Sequence, residues 1–337
     1  MLVMGIESSC DETGVAVVED GRRVVGEMTL SQVAVHAEYG GVVPEIASRE
    51  HVRGITCTVK AALDDAGLTL DDIDAVAVTQ GPGLVGSLLV GLAVAKSIAY
   101  VYRLPLIPVH HIEAHLYANF LDSSKPTFPF LGVVTSGGHT CLLECRDHHE
   151  FTVIGTTRDD AVGEAFDKVA KLLGLPYPGG VSIEKTAQSG SSTAITFPRP
   201  MVGSDTLDMS FSGLKTAVLY HVRDNSANGE PLSDIADVAA GFQAAAIDVI
   251  VSKTRDALDR TGFERVVLAG GVAANKLLRD RFRTDLGLNE KDVHVPPLKW
   301  CMDNGAMVAT AGFYIYGTGC VGDLMTNADP NLPLGIV

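Results

Sequence analysis

Two histidines four residues apart, in His111-Ile-Glu-Ala-His115, are the residues of this 337-residue chain best spaced for chemistry. At about 100° per helical residue, positions four apart stand roughly 40° from one another, so both imidazoles share a face and can reach one metal ion. Glu113 lies roughly 200° from His111 by the same geometry and faces away. A zinc protease of the His-Glu-x-x-His type needs its glutamate adjacent to the first histidine as general base, so the spacing argues against that chemistry. Asp303, in Cys301-Met-Asp-Asn-Gly305 just ahead of a helical stretch, offers a third ligand; its other reading is a helix N-cap. Two histidines and one carboxylate form a recurrent open site for iron or zinc. The pair also follows a strand end, Ile107-Pro-Val109, where α/β proteins place ligands.

The elements that must position these groups repeat. Leu2 to Ile6 reads as a strand, Glu7-Ser-Ser-Cys-Asp11-Glu12-Thr-Gly14 as a polar loop, and Val15 to Val18 as a second strand. Asp20-Gly21 is a hairpin turn signal before Val24-Val25. Downstream, Phe130 to Thr135, Ser136-Gly-Gly-His-Thr140 and Cys141 to Cys145 repeat the strand, polar loop and strand, and a turn at 146–149 leads into Phe151 to Ile154. Each hairpin set is followed by alternating helix and strand signals. In the first half these are a helix over Pro44 to Ala66, a strand over Ile73 to Thr79, a helix over Leu84 to Ala99 and a strand from Leu106. In the second half Ser233 reads as the N-cap of a long helix striped by Ile235, Val238, Phe242, Ala246 and Val249, ahead of a strand over Arg265 to Leu268.

Such a duplication predicts an α/β protein of the actin-like ATPase (ASKHA) superfamily, with two duplicated RNase H-like lobes around a central cleft. The expected lobes are 1–128 plus 304–337, and 129–303. Hairpin tips at Ser9 and Ser136 would present amides and hydroxyls to phosphate. A third loop, Gly270-Gly271 before Asn275, runs from a strand into a helix, whose N-terminus favours an anion. Gly81-Pro-Gly-Leu-Val-Gly86 reads as a strand-to-helix turn, and Lys168 and Lys171 as solvated helix positions.

Composition narrows the class. At 46% hydrophobic and 20% charged, the chain can bury a large core. The net charge of −15 disfavours a stand-alone nucleic-acid binder, which usually carries a basic face. The N-terminus lacks the basic and apolar segments of a signal peptide. The longest apolar run, Leu84 to Ala95, is closed by Lys96 and reads as a buried helix rather than a membrane span. The six cysteines contain no CxxC pair and suit free thiols of a cytoplasmic protein.

Taken in order, nine motifs resemble the TsaD family of tRNA adenosine threonylcarbamoyltransferases, once described as O-sialoglycoprotein endopeptidases. They are Glu7-Ser-Ser-Cys-Asp-Glu-Thr, Gly41-Val-Val-Pro-Glu-Ile-Ala-Ser-Arg-Glu-His51, Gly81-Pro-Gly-Leu, His111-Ile-Glu-Ala-His115, Ser136-Gly-Gly-His-Thr, Gly163-Glu-Ala-Phe-Asp-Lys, Pro178-Gly-Gly, Ser210-Phe-Ser-Gly-Leu-Lys-Thr and Leu268-Ala-Gly-Gly-Val-Ala-Ala-Asn275. They span nearly the whole chain. The bacterial form is the closer one, because Val134 stands where archaeal and eukaryotic members carry a metal-contacting tyrosine. Val181, in place of the usual proline, and Met209 depart from the family pattern.

The resemblance implies transfer of a threonylcarbamoyl group from threonylcarbamoyl-AMP to N6 of adenosine 37, in tRNAs reading codons that begin with A. It implies one divalent metal per subunit, iron with zinc as the alternative, held by His111, His115 and Asp303. It gives Val134, Thr135, Ser136, Gly137, Gly138, Asp167, Gly180, Glu184 and Asn275 as substrate-contacting positions. Asp11 is the candidate acceptor of the amine proton, with ordering of its own loop as its other reading. Expected partners are tRNA, a TsaB-like paralogue and a TsaE-like P-loop ATPase, in the cytoplasm, with no membrane. Rival readings are an ATP-dependent small-molecule kinase of the same superfamily, which would need no histidine pair, and a non-catalytic scaffold.

Overall fold

The computed structural model describes residues 1–122, 124–225 and 232–334. The strands in chain order are β1 (Leu2–Glu7), β2 (Glu12–Glu19), β3 (Arg23–Ser31), β4 (Ala75–Gly81), β5 (Leu106–His110), β6 (Phe130–Thr135), β7 (Thr140–Asp147), β8 (Glu150–Thr156), β9 (Val266–Ala269) and β10 (Val293–His294). The helices are α1 (Val33–Ala37), α2 (Pro44–Ala66), α3 (Val85–Tyr102), α4 (His111–Tyr117), α5 (Val162–Leu172), α6 (Gly179–Ala187), α7 (Ser212–Asn225), α8 (Ile235–Thr261), α9 (Lys276–Asp285) and α10 (Gly305–Gly317).

Two sheets carry the same strand order. The first runs β3-β2-β1-β4-β5 and the second β10-β9-β6-β7-β8, which is the same sequence of pairings with β6 in the place of β1. In the first sheet the antiparallel β1–β2–β3 set precedes β4 and β5, added in parallel, and in the second β9 joins β6 and β10 joins β9 in parallel. The Asp20-Gly21 turn forms as its sequence demands, both residues taking positive φ (52° and 63°) as a tight primed turn requires.

The chain forms two compact units, Met1–Phe128 with Cys145–Thr152 and Pro296–Val337, and Pro129–Glu144 with Val153–Val295. Asp303, expected in the second lobe, therefore belongs with the histidine pair, because 296–303 packs with the first unit, as does the turn at 146–149. Residues 335–337 of the expected first lobe lie outside the described residues.

In the first unit, α2 and α3 cover a core of Met4, Ile6, Val15, Val17, Val76, Val78, Ile55 and Leu92. The helix predicted over Leu84 to Ala99 spans Val85–Tyr102 and is long and apolar enough to cross a membrane by length and composition, as is α8. Most of α8 is buried core, with Val238, Phe242, Ala246 and Val249 of the predicted stripe fully buried and Ile235, at the helix start, half-buried. That helix begins at Ile235, with Asp234 rather than Ser233 at the N-cap position. All six cysteines are free thiols.

Candidate metal centre and substrate loops

His111 opens α4 directly after β5 delivers the chain to the sheet edge, and His115 follows one turn later on the same face. The rings meet edge to face with centroids 4.6 Å apart. Asp303 Oδ1 lies 3.2 Å from His115 Nε2 and 3.7 Å from His111 Nε2, and one ligand atom of each residue falls within 4.8 Å of the others. Asp303 reaches them from the turn ahead of α10. The N-cap role belongs instead to its neighbour Asn304, whose side chain accepts from Met307 N–H at 2.9 Å.

The donor set fits a divalent cation. Both ring nitrogens of His115 are buried with no hydrogen-bond partner among the described residues, an arrangement that costs about 1–3 kcal/mol per polar group unless something ligates it. His111 is fully buried, and burial opposes its charged form, but the carboxylates of Asp303 and Glu7 outweigh burial and raise its pKa to about 9. Two carboxylates converging on two imidazoles thus favour a cation among them, whether proton or metal.

Around this triad sit further polar residues, of which Glu7 and His51 had no individual role in the sequence reading. Glu7 is the last residue of β1 and fully buried, not part of an exposed loop. It accepts from Ser9 N–H (2.5 Å), the Thr79 hydroxyl (2.6 Å) and His111 Nδ1 (3.2 Å). The Ser9 hydroxyl lies 3.2 Å from the same Nδ1, so it is engaged with the histidine rather than presented to phosphate. His51 bridges Thr13 (2.7 Å) and the Cys10 carbonyl (2.9 Å), bracing the loop that carries Asp11. Asp11 is held above its ordinary pKa by burial and by the Asp303 charge. Glu113 faces away from the triad as its helical angle requires, but it is buried and pairs with His149 at 2.9 Å. Only a buried polar signature in the fold, absent from the sequence pattern, could have found these contacts.

Glu12, at the start of β2, gives a pH test of this region. Burial pushes its carboxyl up to about 7, against the opposing hydrogen bond from Ser31, and Oε2 is buried without a partner. A raised folded-state value means that folding takes up a proton. The associated stability is complete below the ordinary value of 4.5 and is lost as the pH rises through 7. Glu12→Gln is expected to raise the thermal midpoint of the metal-free protein at pH 8 and to leave it nearly unchanged at pH 5. Equal gains at both pH values would refute the assignment.

The expected substrate-contacting residues all belong to the second unit. Ser136 closes its own loop, its N–H donating to the His139 carbonyl (2.8 Å) and its Oγ accepting from His139 N–H (3.1 Å). Gly137 and Gly138 form an exposed tip with open space where a side chain would stand. Val134 and Thr135 are fully buried on β6, the Thr135 hydroxyl donating to the Ala269 carbonyl. Gly270, at φ 91°, lets its loop close on the Thr135 carbonyl, which a Cβ would approach to 2.5 Å.

The remaining three polar residues each pin a neighbouring backbone. Asp167 accepts from Gly179 N–H (2.7 Å), Glu184 from Lys276 N–H (2.9 Å), and Asn275 from Leu278 N–H (3.1 Å) while its amide donates to Gln243 (2.8 Å). Gly180 stands in open space at the start of α6, whose first turn accommodates the exposed Val181. Lys168 is solvent-accessible as expected and also pairs with Asp160 and Glu164, and Lys215 joins it on Asp160.

Comparison with known proteins places these features. The family described as TsaD, tRNA N6-adenosine threonylcarbamoyltransferase, matches residues 23–310. A protein of that name from Trichlorobacter lovleyi is 50% identical over 334 residues, covering 99% of this chain and 97% of its own. One from Staphylococcus aureus (strain Newman) is 46% identical over the same coverage. Among solved structures, HypF from T. kodakarensis superposes with a TM-score of 0.61 at 16% identity, over 94% of this chain and 48% of its own. The activator of the 2-hydroxyisocaproyl-CoA dehydratase from Clostridium difficile gives 0.56 at 16% identity, over 96% and 99%. These likenesses show the actin-like ATPase (ASKHA) fold that the repeated strand order builds. Identity at this level along almost the entire length leaves one assignment: the chain belongs to the TsaD family of tRNA N6-adenosine threonylcarbamoyltransferases, a transferase family acting on tRNA.

Proposed function

We propose that this chain transfers the threonylcarbamoyl group of threonylcarbamoyl-AMP to N6 of adenosine 37, in tRNAs that read codons beginning with A. The observation that carries the reading is the buried His111–His115–Asp303 triad, with both nitrogens of His115 lacking a hydrogen-bond partner. His111, His115 and Asp303 would hold one divalent ion, iron with zinc as the alternative. Such an ion supplies Lewis-acid stabilisation of developing negative charge and a template for orientation.

The acyl donor is a mixed carbamoyl–phosphate anhydride and is already activated, so the protein's task is positioning and charge stabilisation. The amide-rich tip at Ser136–Gly138 and the N-terminus of α9 at Asn275 suit the adenylate's phosphate and nucleoside. Asp167, Gly180 and Glu184 would complete its pocket, with Val134 and Thr135 forming the floor. In the transfer, a bond forms between N6 and the carbamoyl carbon, and the bond from that carbon to the phosphate oxygen breaks. AMP departs with the electron pair, and the N6 proton passes to Asp11, whose raised pKa suits proton acceptance. The target base must leave its stack to reach these groups.

The net charge of −15 favours a composite tRNA surface in which a TsaB-like paralogue and a TsaE-like P-loop ATPase supply positive charge. The setting proposed is the cytoplasm. The test is nucleoside analysis of unmodified tRNA incubated with threonine, bicarbonate, ATP, the adenylate-forming enzyme and the partner proteins, with and without this chain. The threonylcarbamoylated adenosine is expected only when the chain is present. Equal formation without it overturns the proposal.

A further inference from the structure

Glu7 is the most deeply buried carboxylate near the triad, and each of its oxygens is engaged. Oε1 takes the Ser9 N–H, and Oε2 takes the Thr79 hydroxyl and the His111 Nδ1–H. An ionised carboxylate only accepts, so Glu7 assigns a proton to His111 Nδ1 and leaves Nε2 as the nitrogen that faces Asp303 and would bind a metal once its own proton is displaced. Among the described residues, His115 has no hydrogen-bond partner at Nδ1. The two histidines are therefore unequal: Glu7 orients His111 at Nδ1, whereas His115 meets Asp303 at Nε2.

We infer that Glu7 is the positioning residue of the metal centre, presetting His111 as the first ligand. Its oxygens are engaged inward, so it acts through His111 and not on substrate. Thr79, on β4, and the Ser9 amide, in the turn after β1, fix the carboxylate from neighbouring segments, so the sheet itself sets the direction of the imidazole. The inference rests on reading His111, His115 and Asp303 as a metal site. Carboxylates that orient a ligating histidine typically contribute ten- to a hundredfold in metal affinity.

The test uses cobalt(II) with the metal-free full chain, reading affinity by chelator competition and coordination by the visible spectrum. Glu7→Gln is nearly isosteric but replaces the anionic acceptor. It is expected to weaken cobalt(II) binding by about 10- to 100-fold and to shift the spectrum, with circular dichroism unchanged. Thr79→Val removes the carboxylate's tether while leaving its charge, and is expected to weaken binding by about tenfold; it serves alone if Glu7→Gln does not fold. Wild-type protein that takes up no cobalt(II) overturns the metal reading, and the inference with it. Tight binding by the wild type, with unchanged affinity and spectrum in the folded variants, overturns the role of Glu7 alone.

Discussion

Substitution of His115 by alanine is expected to remove bound metal and to lower tRNA modification by at least about 100-fold, beyond what loss of an outer-sphere partner typically costs, in a protein that remains folded. The choice of histidine matters. His111 is charge-paired with the fully buried Glu7, so His111→Ala leaves a carboxylate in the core without its cationic partner. Breaking a buried pair in this way costs about 3–5 kcal/mol, and lost activity would then be confounded with unfolding. His115 carries no such pairing with Glu7, and among the described residues its ring nitrogens have no hydrogen bond to lose. The double variant adds the stability loss of the first to the ligand loss of the second. Metal content by elemental analysis, read beside denaturant unfolding, separates the two effects. Full metal occupancy and activity in His115→Ala would overturn the triad.

Substitution of Gly305 by valine is expected to cost about 3 kcal/mol or more, at or beyond the upper end of ordinary overpacking, and to release the metal as a consequence. A Cβ at Gly305 would stand 2.4 Å from Ala16 N and 2.5 Å from the Val15 carbonyl carbon. These are backbone atoms of β2 and cannot swing aside. The contact is reciprocal, since a Cβ on Gly5 would meet the Gly305 carbonyl oxygen at 2.2 Å and Ala309 N at 2.3 Å. The helix α10 thus lies directly on β1 and β2, and Asp303 enters the site from the turn just before it. Pushing α10 away displaces the one ligand that comes from far along the chain. Gly317, at the other end of α10 with open space around it, is the control. Its alanine variant is expected to be neutral or to gain about 0.5–1 kcal/mol. Urea unfolding of both variants checks the contrast, and a Gly305→Val protein of native stability would refute the close-packing account.

The sequence by itself determined the local parts of this protein. The i,i+4 spacing of His111 and His115 required a shared helix face, and the same geometry turned Glu113 away from it. Alternating patterns and the Asp20-Gly21 turn laid out the hairpins, and their recurrence from Phe130 announced the duplication that the matching strand orders display. All of these depend on neighbours within a few residues, which is the range over which period and turn chemistry act.

What only the tertiary structure decided are the contacts made across long separations. Asp303 meets His115 from 188 positions away, and its assignment as ligand rather than cap turned on Asn304 taking the cap. Lys168 keeps its solvated position, and only the fold brings Asp160, in the loop ahead of its helix, into a pair with it. Glu7 is the clearest instance. As a charged residue at the end of an apolar run it reads as the first residue of a loop, because burying a carboxylate is prohibitive without partners. Those partners, Thr79 and His111, come from β4 and α4, and no local pattern could place them beside the end of β1. The histidine pair was legible as a pair. That Glu7 orients His111 at Nδ1, while Asp303 reaches His115 at Nε2, follows from which side chains the fold brings to them.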